Sequence, residues 1–444
     1  MDKKVMYAVG IVAILLAASC VVFVVSKDGG DDDAPAALKD AELKVFGNIN
    51  GDRYLDEKDS KMVQQLIDDG KTAEEYPLAD ANQDGELDSK DVEIIDKVVR
   101  GEKTTIWHIN YFDQDGDGTM DSLVETTNFP IKSILFNGSS NLLIYLFCLG
   151  ITDEVAGLTY GSTSDKGLFA DNYFDKSKHV YLGSSGNTIT FEDGKAGSTN
   201  VIAEKNVTAV ISNWNRNQMS SWQDFENSGI DVVRVAASDT DRETLVHSAM
   251  LIGLLFQKVE RADAYVNMNL EILDYVSNAV SKVTPVKAVA SSSSGSLSSP
   301  TSDYTTFILN AGAQYGLEGL DFGGNAGVKV AEHPEVYGNY DFQKIIHFRT
   351  NLSYNQTPES VEKYWNEYTA KFSDWKHADS GQYLVCGTLP VCLRVAYAAA
   401  ALYPDVVDID TVDDYHGKMI KEFYNGLEFD LDSMKFLVTP ADMA

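Results

Sequence analysis

The stretch DRETLVHSAMLIGLLFQKVERADAYVNMNLEILDYVSNAVSKV, residues 241–283, contains no proline and a single glycine, Gly253. Leu251, Leu254, Leu255, Val259, Ala262, Tyr265, Val266, Leu270, Leu273 and Val276 recur within it at helical spacing and form one apolar stripe. A helical run of this length, even if broken once, outruns a single domain and is expected to bridge two. On its N-terminal side, residues 131–136, 155–159, 208–212 and 230–235 read as short apolar strands, with a helix over 141–149. On its C-terminal side, 286–290, 344–348 and 383–385 read as strands, and 305–313, 360–371, 390–402 and 411–425 as helices. Strands alternating with helices imply mostly parallel sheets covered by helices. The expected division is a first lobe at 129–240, a connecting helix region at 241–283 and a second lobe at 284–444.

Upstream, two acidic loops share one pattern. Asn48, Asn50, Asp52, Asp56 and Asp59 stand at positions 1, 3, 5, 9 and 12 of the first, and Asp80, Asn82, Asp84, Asp88 and Asp91 of the second. That spacing wraps a twelve-residue loop around one hard cation, with the backbone carbonyl of Tyr54 or Glu86 at position 7 completing the shell. The cofactor expected is Ca2+. In the first loop Arg53 replaces the glycine that makes the sharp turn, and Asn48 replaces the leading aspartate. Aspartate at position 12, with a single helix after each loop, resembles a type I dockerin, so residues 41–103 are expected to form a small all-α dockerin-like EF-hand domain. The resemblance implies partner recognition at positions 10 and 11, here Glu57-Lys58 and Ser89-Lys90. The module would then either dock a cohesin-like partner or pack on its own chain as a spacer. A third acidic loop, Asp113, Asp115, Asp117 and Asp121, lies in a predicted hairpin at 104–128, where it is either a further calcium site or a glycine-rich polar turn.

The net charge of −31 excludes a nucleic-acid binder, which needs a basic stripe for phosphates. Lys3-Lys4 followed by an apolar run over 5–25 is long enough to span a bilayer, so residues 1–27 are expected to be a membrane anchor, or alternatively a signal segment. Lysines at that end place it in the cytoplasm and put everything after Lys27, beginning with the 28–40 linker, outside the cell. Cys386 and Cys392 then form either a disulfide or two buried thiols. No nucleophile elbow, phosphate loop or zinc motif is present, and the seven histidines are scattered; neither an enzyme nor a direct metal-ion binder is expected.

The segments PIKSIL (130–135), LFCLG (146–150), DEVAGLT (153–159), GIDVV (229–233), the run opening at Ile252, and FYNG (423–426) occur in the order of a class III solute-binding protein. The chain resembles that family, which serves ABC importers of ferric siderophores, haem and cobalamin. The resemblance implies two α/β lobes joined by a long helix, here preceded by a transmembrane helix and the calcium module, with a metal chelate held between the lobes for delivery to an ABC permease. Ligand sits at the carboxyl ends of strands in such sheets. Candidate contacts there are Tyr160, Trp214, Arg216, Tyr304, His347 and Arg349, the arginines clamping anionic groups and the rings stacking on a planar ligand. Trp214 could equally pack between lobes, and His347 could be a core histidine. The glutamate with which this family meets its permease is missing from residues 141–145, leaving Asp153 or Glu154 for that task.

Overall fold

The computed structural model describes residues 42–116, 118–138, 140–159, 178–183, 198–215, 219, 221–292, 295–323, 325–349 and 352–443. The expected anchor at 1–27 and linker at 28–40 lie outside these residues. Among the described residues no helix is long and apolar enough to cross a membrane.

The acidic loops each lead into a helix, α1 (Glu57–Asp68) and α2 (Ser89–Val99). Both helices begin with a capping box: Asp56 with Asp59, and Asp88 with Asp91. Loop positions 9 and 12 therefore also satisfy amides that a helix start leaves unpaired. The hairpin follows as β1 (Thr104–Phe112) and β2 (Asp121–Phe129), antiparallel from Thr104↔Phe129 to Phe112↔Asp121.

In the first lobe, β3 (Ile134–Asn137), α3 (Ser140–Cys148), β4 (Val155–Leu158), β5 (Val180–Tyr181), α4 (Ser198–Lys205), β6 (Ala209–Asn213), α5 (Trp222–Asn227) and β7 (Asp231–Val235) build a parallel sheet in the order β5-β4-β3-β6-β7. Its inner strands are apolar on both faces because helices cover both. The hairpin closes the β7 edge. The Asn110 amide donates to Val232 O at 3.0 Å and accepts the Arg234 N–H at 2.9 Å, so a side chain stands in for the missing neighbouring strand.

The connecting region is two helices, α6 (Arg242–Leu255) and α7 (Val259–Val280), and not one. The chain reverses through Gln257, at φ 57. Gly253 permits the close approach that follows: a Cβ there would stand 2.4 Å from Ala262 Cβ.

The second lobe comprises β8 (Lys287–Ser291), β9 (Ser296–Ser298), α8 (Asp303–Asn310), β10 (Gln314–Tyr315), β11 (Gly327–Lys329), α9 (Val336–Asn339), β12 (Lys344–Arg349), α10 (Pro358–Thr369), β13 (Gln382–Cys386), α11 (Val391–Leu402), α12 (Ile409–Phe423) and β14 (Leu437–Val438). Its sheet runs β10-β8-β12-β13-β14, parallel except for β14. One apolar core extends from the acidic-loop module through α3, α6 and α7 into α11 and α12. Arg261 on α7 ties the lobes together, donating to Cys148 O at 2.6 Å, Phe423 O at 2.8 Å and Asn425 Oδ1 at 2.9 Å. Cys386 and Cys392 are both free, buried thiols, which removes the disulfide alternative.

Candidate functional site

Each sheet has one place where the strand order reverses, the position beyond whose strand carboxyl ends open α/β sheets take ligand. In the first lobe it falls between β3 and β6, ending at Asn137 and Asn213; in the second it falls between β8 and β12, ending at Ser291 and Arg349. Asn310 on α8 donates to Thr240 Oγ1 at 2.8 Å, joining the chain after β7 to the second lobe.

Three charged groups gather beside that junction. Asp239 follows β7, Asp303 opens α8, and Arg394 lies in the first turn and a half of α11. Arg394 is fully enclosed; its Nε donates to Leu389 O at 2.5 Å, its guanidinium lies 4.9 Å from the Phe307 ring, and Nη1 has no hydrogen-bond partner. Loss of hydration pushes the Asp303 carboxyl up to about 6; Arg394 draws it back and Asp239 adds to the rise. Asp239 and Asp303 thus act on one another from opposite lobes. The sequence reading missed all three, although Arg394 is the single charge in the apolar helix VCLRVAYAAAAL.

Of the sequence-predicted contacts, Tyr160 and Arg216 lie outside the described residues. Trp214 is half-buried just past β6, and its carbonyl accepts the Asp113 N–H at 3.0 Å, so the hairpin tip fixes the backbone of this loop. Tyr304 is half-buried and rests on Phe348, with ring centroids 5.4 Å apart. Arg349 stands at the end of β12 but turns onto α10. Its guanidinium is 4.6 Å from the Tyr364 ring and 5.0 Å from the Tyr368 ring, and Nη1 donates to Tyr368 Oη at 3.1 Å. His347 is on the same sheet face and wholly enclosed, with Nε2 3.0 Å from Gln382 Oε1 and burial lowering its pKa to about 4. Its surroundings, Tyr368, Phe372 and Gln382, are those of a core histidine, the alternative raised from the sequence. The structure therefore leaves Trp214 just past β6 and Tyr304 in the first turn of α8 against Phe348, without bringing the two together, and sets His347 and Arg349 against α10.

The two acidic loops of the module differ. In the second, Gly85 takes the left-handed turn at φ 88 and donates to Asp80 Oδ2 at 2.9 Å; Asp84 N–H donates to Asn82 Oδ1 at 2.7 Å and Glu86 N–H to Asp84 Oδ1 at 2.9 Å. Asp91 accepts the Asn82 and Asp88 amides, and Lys90 Nζ bridges Asp84 at 3.1 Å and Asp88 at 3.0 Å. In the first, Asn48 Nδ2 donates to Leu43 O and Asp52 O, both at 2.7 Å, and Asp59 accepts the Ile49 and Asn50 amides. The Asn50 side chain donates to Asp52, the Tyr54 N–H donates to Asp52 Oδ1, and Asp56 caps α1. Burial pushes the Asp59 carboxyl up to about 6. Among the described residues, no three histidine, cysteine, aspartate or glutamate side chains converge as a ready ligand set. The third loop is incomplete in the same sense, since Asp117 lies outside the described residues.

Arg53, the residue that breaks the first loop's glycine rule, has a clear structural use. Its Nη1 donates to Asp263 Oδ1 at 3.1 Å and Asn267 Oδ1 at 2.7 Å on α7. Lys44 adds a bond from its N–H to His247 Nδ1 at 3.0 Å and an ion pair with Glu243 at 3.1 Å. The module therefore packs against the connecting helices. Glu57, Lys58, Ser89 and Lys90 remain exposed. Of the two acids considered for permease docking, Glu154 is tied to Lys258 at 3.2 Å, whereas Asp153 is exposed.

No protein-family model and no curated protein matches the chain. Solved structures do. A TroA-like periplasmic binding protein, FepB from Veillonella parvula, shares 15% identity at a TM-score of 0.56, over 74% of this chain and 99% of that one. The molybdate periplasmic binding protein MolA of a Haemophilus influenzae ABC transporter shares 13% identity at a TM-score of 0.52, over 69% of this chain and 97% of that one. CeuE of Helicobacter pylori, in a nickel–histidine complex, shares 14% identity at a TM-score of 0.50, over 72% and 96%. At these identities the likeness is one of fold: the chain has the two-lobed α/β fold of TroA-like periplasmic binding proteins.

Proposed function

We propose that this chain is an extracytoplasmic solute receptor that captures a metal chelate (a ferric siderophore, haem or corrinoid) and delivers it to an ABC permease. The observation that carries the reading is the pair of topological switch points, one per lobe, together with the lobe contact at Thr240 and Asn310 and the charged groups Asp239, Asp303 and Arg394. Neighbours of the same fold hold molybdate and a nickel–histidine complex, cargoes of the same broad kind. The apolar run at 5–25 would tether the receptor to the membrane. Protein purified from its own organism is expected to carry a coloured chelate, seen by absorbance and native mass spectrometry. Protein from cells fed each of the three chelate classes that binds none would overturn the assignment.

In this reading the acidic-loop module is a calcium-stabilised spacer. The oxygen set of Asp80, Asn82, Asp84, Asp88 and Asp91 with the Glu86 carbonyl suits a hard cation, and the turns that present it are in place. Asn48, Asn50, Asp52, Asp56 and Asp59 with the Tyr54 carbonyl form a weaker set, because neutral Asn48 stands where the second loop has Asp80 and one carboxylate charge is lost. The Asp84→Ala/Asp88→Ala variant is expected to lose the calcium-dependent rise in melting temperature, in the lobes as well as in the module, because the module is docked through Arg53 and Lys44. An unchanged calcium response would refute the assignment. The exposure of Glu57, Lys58, Ser89 and Lys90 favours a second reading, docking of a cohesin-like partner, and the two are compatible on one surface.

A further inference from the structure

The hairpin tip carries an acidic loop that the receptor reading does not use. Asp113 ends β1 and is fully buried. One of its oxygens, Oδ1, accepts the Gly116 N–H at 2.8 Å, while Oδ2 is enclosed and has no hydrogen-bond partner. A buried carboxylate oxygen without a donor is costly, and in native proteins such a group marks an ion, a water or a function. From the other end of the loop, Asp121 Oδ2 accepts the Gln114 N–H at 3.3 Å, bringing a second carboxylate to the same turn. Gly116 and Gly118, at φ 83 and 86, let the chain wrap between them, and Asp115 projects from it exposed.

We infer that this tip binds a divalent cation of the calcium type through Asp113 and Asp121, and that the ion fixes the cleft loop at Trp214. Oxygen-only ligands of this kind select a hard cation over zinc or copper. Coupling to the cleft is short. The residue whose carboxylate meets the ion also donates its N–H to Trp214 O at 3.0 Å, immediately after β6 at the first lobe's switch point. The second half of the inference, control of a ligand cleft, rests on the receptor reading; the ion site itself does not.

The test uses the full chain, stripped by a chelator and titrated with calcium, with stoichiometry from native mass spectrometry and hydrogen exchange read at the Asp113 and Trp214 amides. Wild type is expected to take up one calcium more than Asp113→Asn, and calcium is expected to slow exchange at those amides by about tenfold. Asp121→Asn, at a half-buried position, reports the same loss of affinity without disturbing a fully buried group. Asp84→Ala/Asp88→Ala should lose the module's ion and keep the slowing. Full calcium stoichiometry in both tip variants, or unchanged exchange in wild type, would overturn the inference. If the ion behaves as expected while no chelate binds, the receptor reading fails and the site stands.

Discussion

Acidification is expected to leave the fold stable to about pH 5 and to unfold it steeply below that point. Four histidines are buried in the neutral form, with pKa lowered chiefly by loss of hydration: His108 and His347 to about 4, His247 and His416 to about 3. In the unfolded chain each returns to about 6.5, so the unfolded state holds more protons and stability falls as the pH drops below that value. Three carboxyls work the other way. Burial raises Glu226 to about 7 and Asp59 and Asp303 to about 6, so the folded chain takes their protons first and gains stability as pH falls through those values. Glu125, Asp231 and Asp239 are raised in the same direction and delay the loss further. Below about pH 5 the carboxyls of the unfolded chain are protonating too, and the histidines act unopposed at ~1.4 kcal/mol per pH unit for each unmatched proton. Total stabilities are only about 5–15 kcal/mol, so this gradient is decisive. His416 offers the check. Its ring nitrogens lie 2.7 Å from Tyr354 Oη and 2.9 Å from Tyr397 Oη, so His416→Gln should weaken the protein at pH 7 yet flatten its acid limb. Urea midpoints at pH 7, 6, 5 and 4.5 that fall in parallel for variant and wild type would exclude this account.

The lobes were legible because their signals are local. Apolar runs such as AVIS at 209–212 and DVVRV at 231–235 are bounded by polar turns, and the structure places strands within a residue or two of the expected ends. The break between α6 and α7 was not legible. Neither proline nor glycine stands at 256–258, and the reversal follows from Gly253 closing on Ala262, a contact between residues of two different helices. Site chemistry was harder still. Arg349 lies at a strand end as expected, but Tyr364 and Tyr368, one helical turn apart on α10, capture its guanidinium. Pairing of this kind is set by how a crossover helix seats on its sheet, which no spacing around residue 349 reveals. Asp239 and Asp303 come together only when two lobes built from separate stretches meet. Arg53 shows the converse. As a fault in a calcium loop it was visible at once, and its purpose emerged only with Asp263 and Asn267 across from it.

Replacing Arg234 with leucine is expected to cost about 3–5 kcal/mol and to free the hairpin from the first lobe. The side chain is 1% exposed, with Nη1 3.4 Å from Glu125 Oε2 and Nη2 3.4 Å from Glu226 Oε1. Its guanidinium lies 3.6 Å from the Phe112 ring and 5.1 Å from the Trp222 ring, so one planar cation joins β1, β2, α5 and β7. Removing it leaves two carboxylates facing each other without their shared counter-charge, which is why the loss should exceed that of an exposed ion pair, about 0–1 kcal/mol. Lysine would keep the charge but lose the flat fork that bonds two acids while stacking on an aromatic ring. Arg234→Lys is therefore expected to fall between leucine and wild type. The double variant Arg234→Leu/Glu125→Gln should recover part of the loss, because one stranded carboxylate is then neutral. Urea unfolding of the four proteins gives the comparison. A leucine variant within about 1 kcal/mol of wild type, or a double variant no better than the single, would show that Asn110 and the apolar contacts of Phe112 hold the hairpin without the cation. With the hairpin loosened, the Asp113–Trp214 bond at its tip should go as well, so the same leucine variant is expected to speed amide exchange after β6.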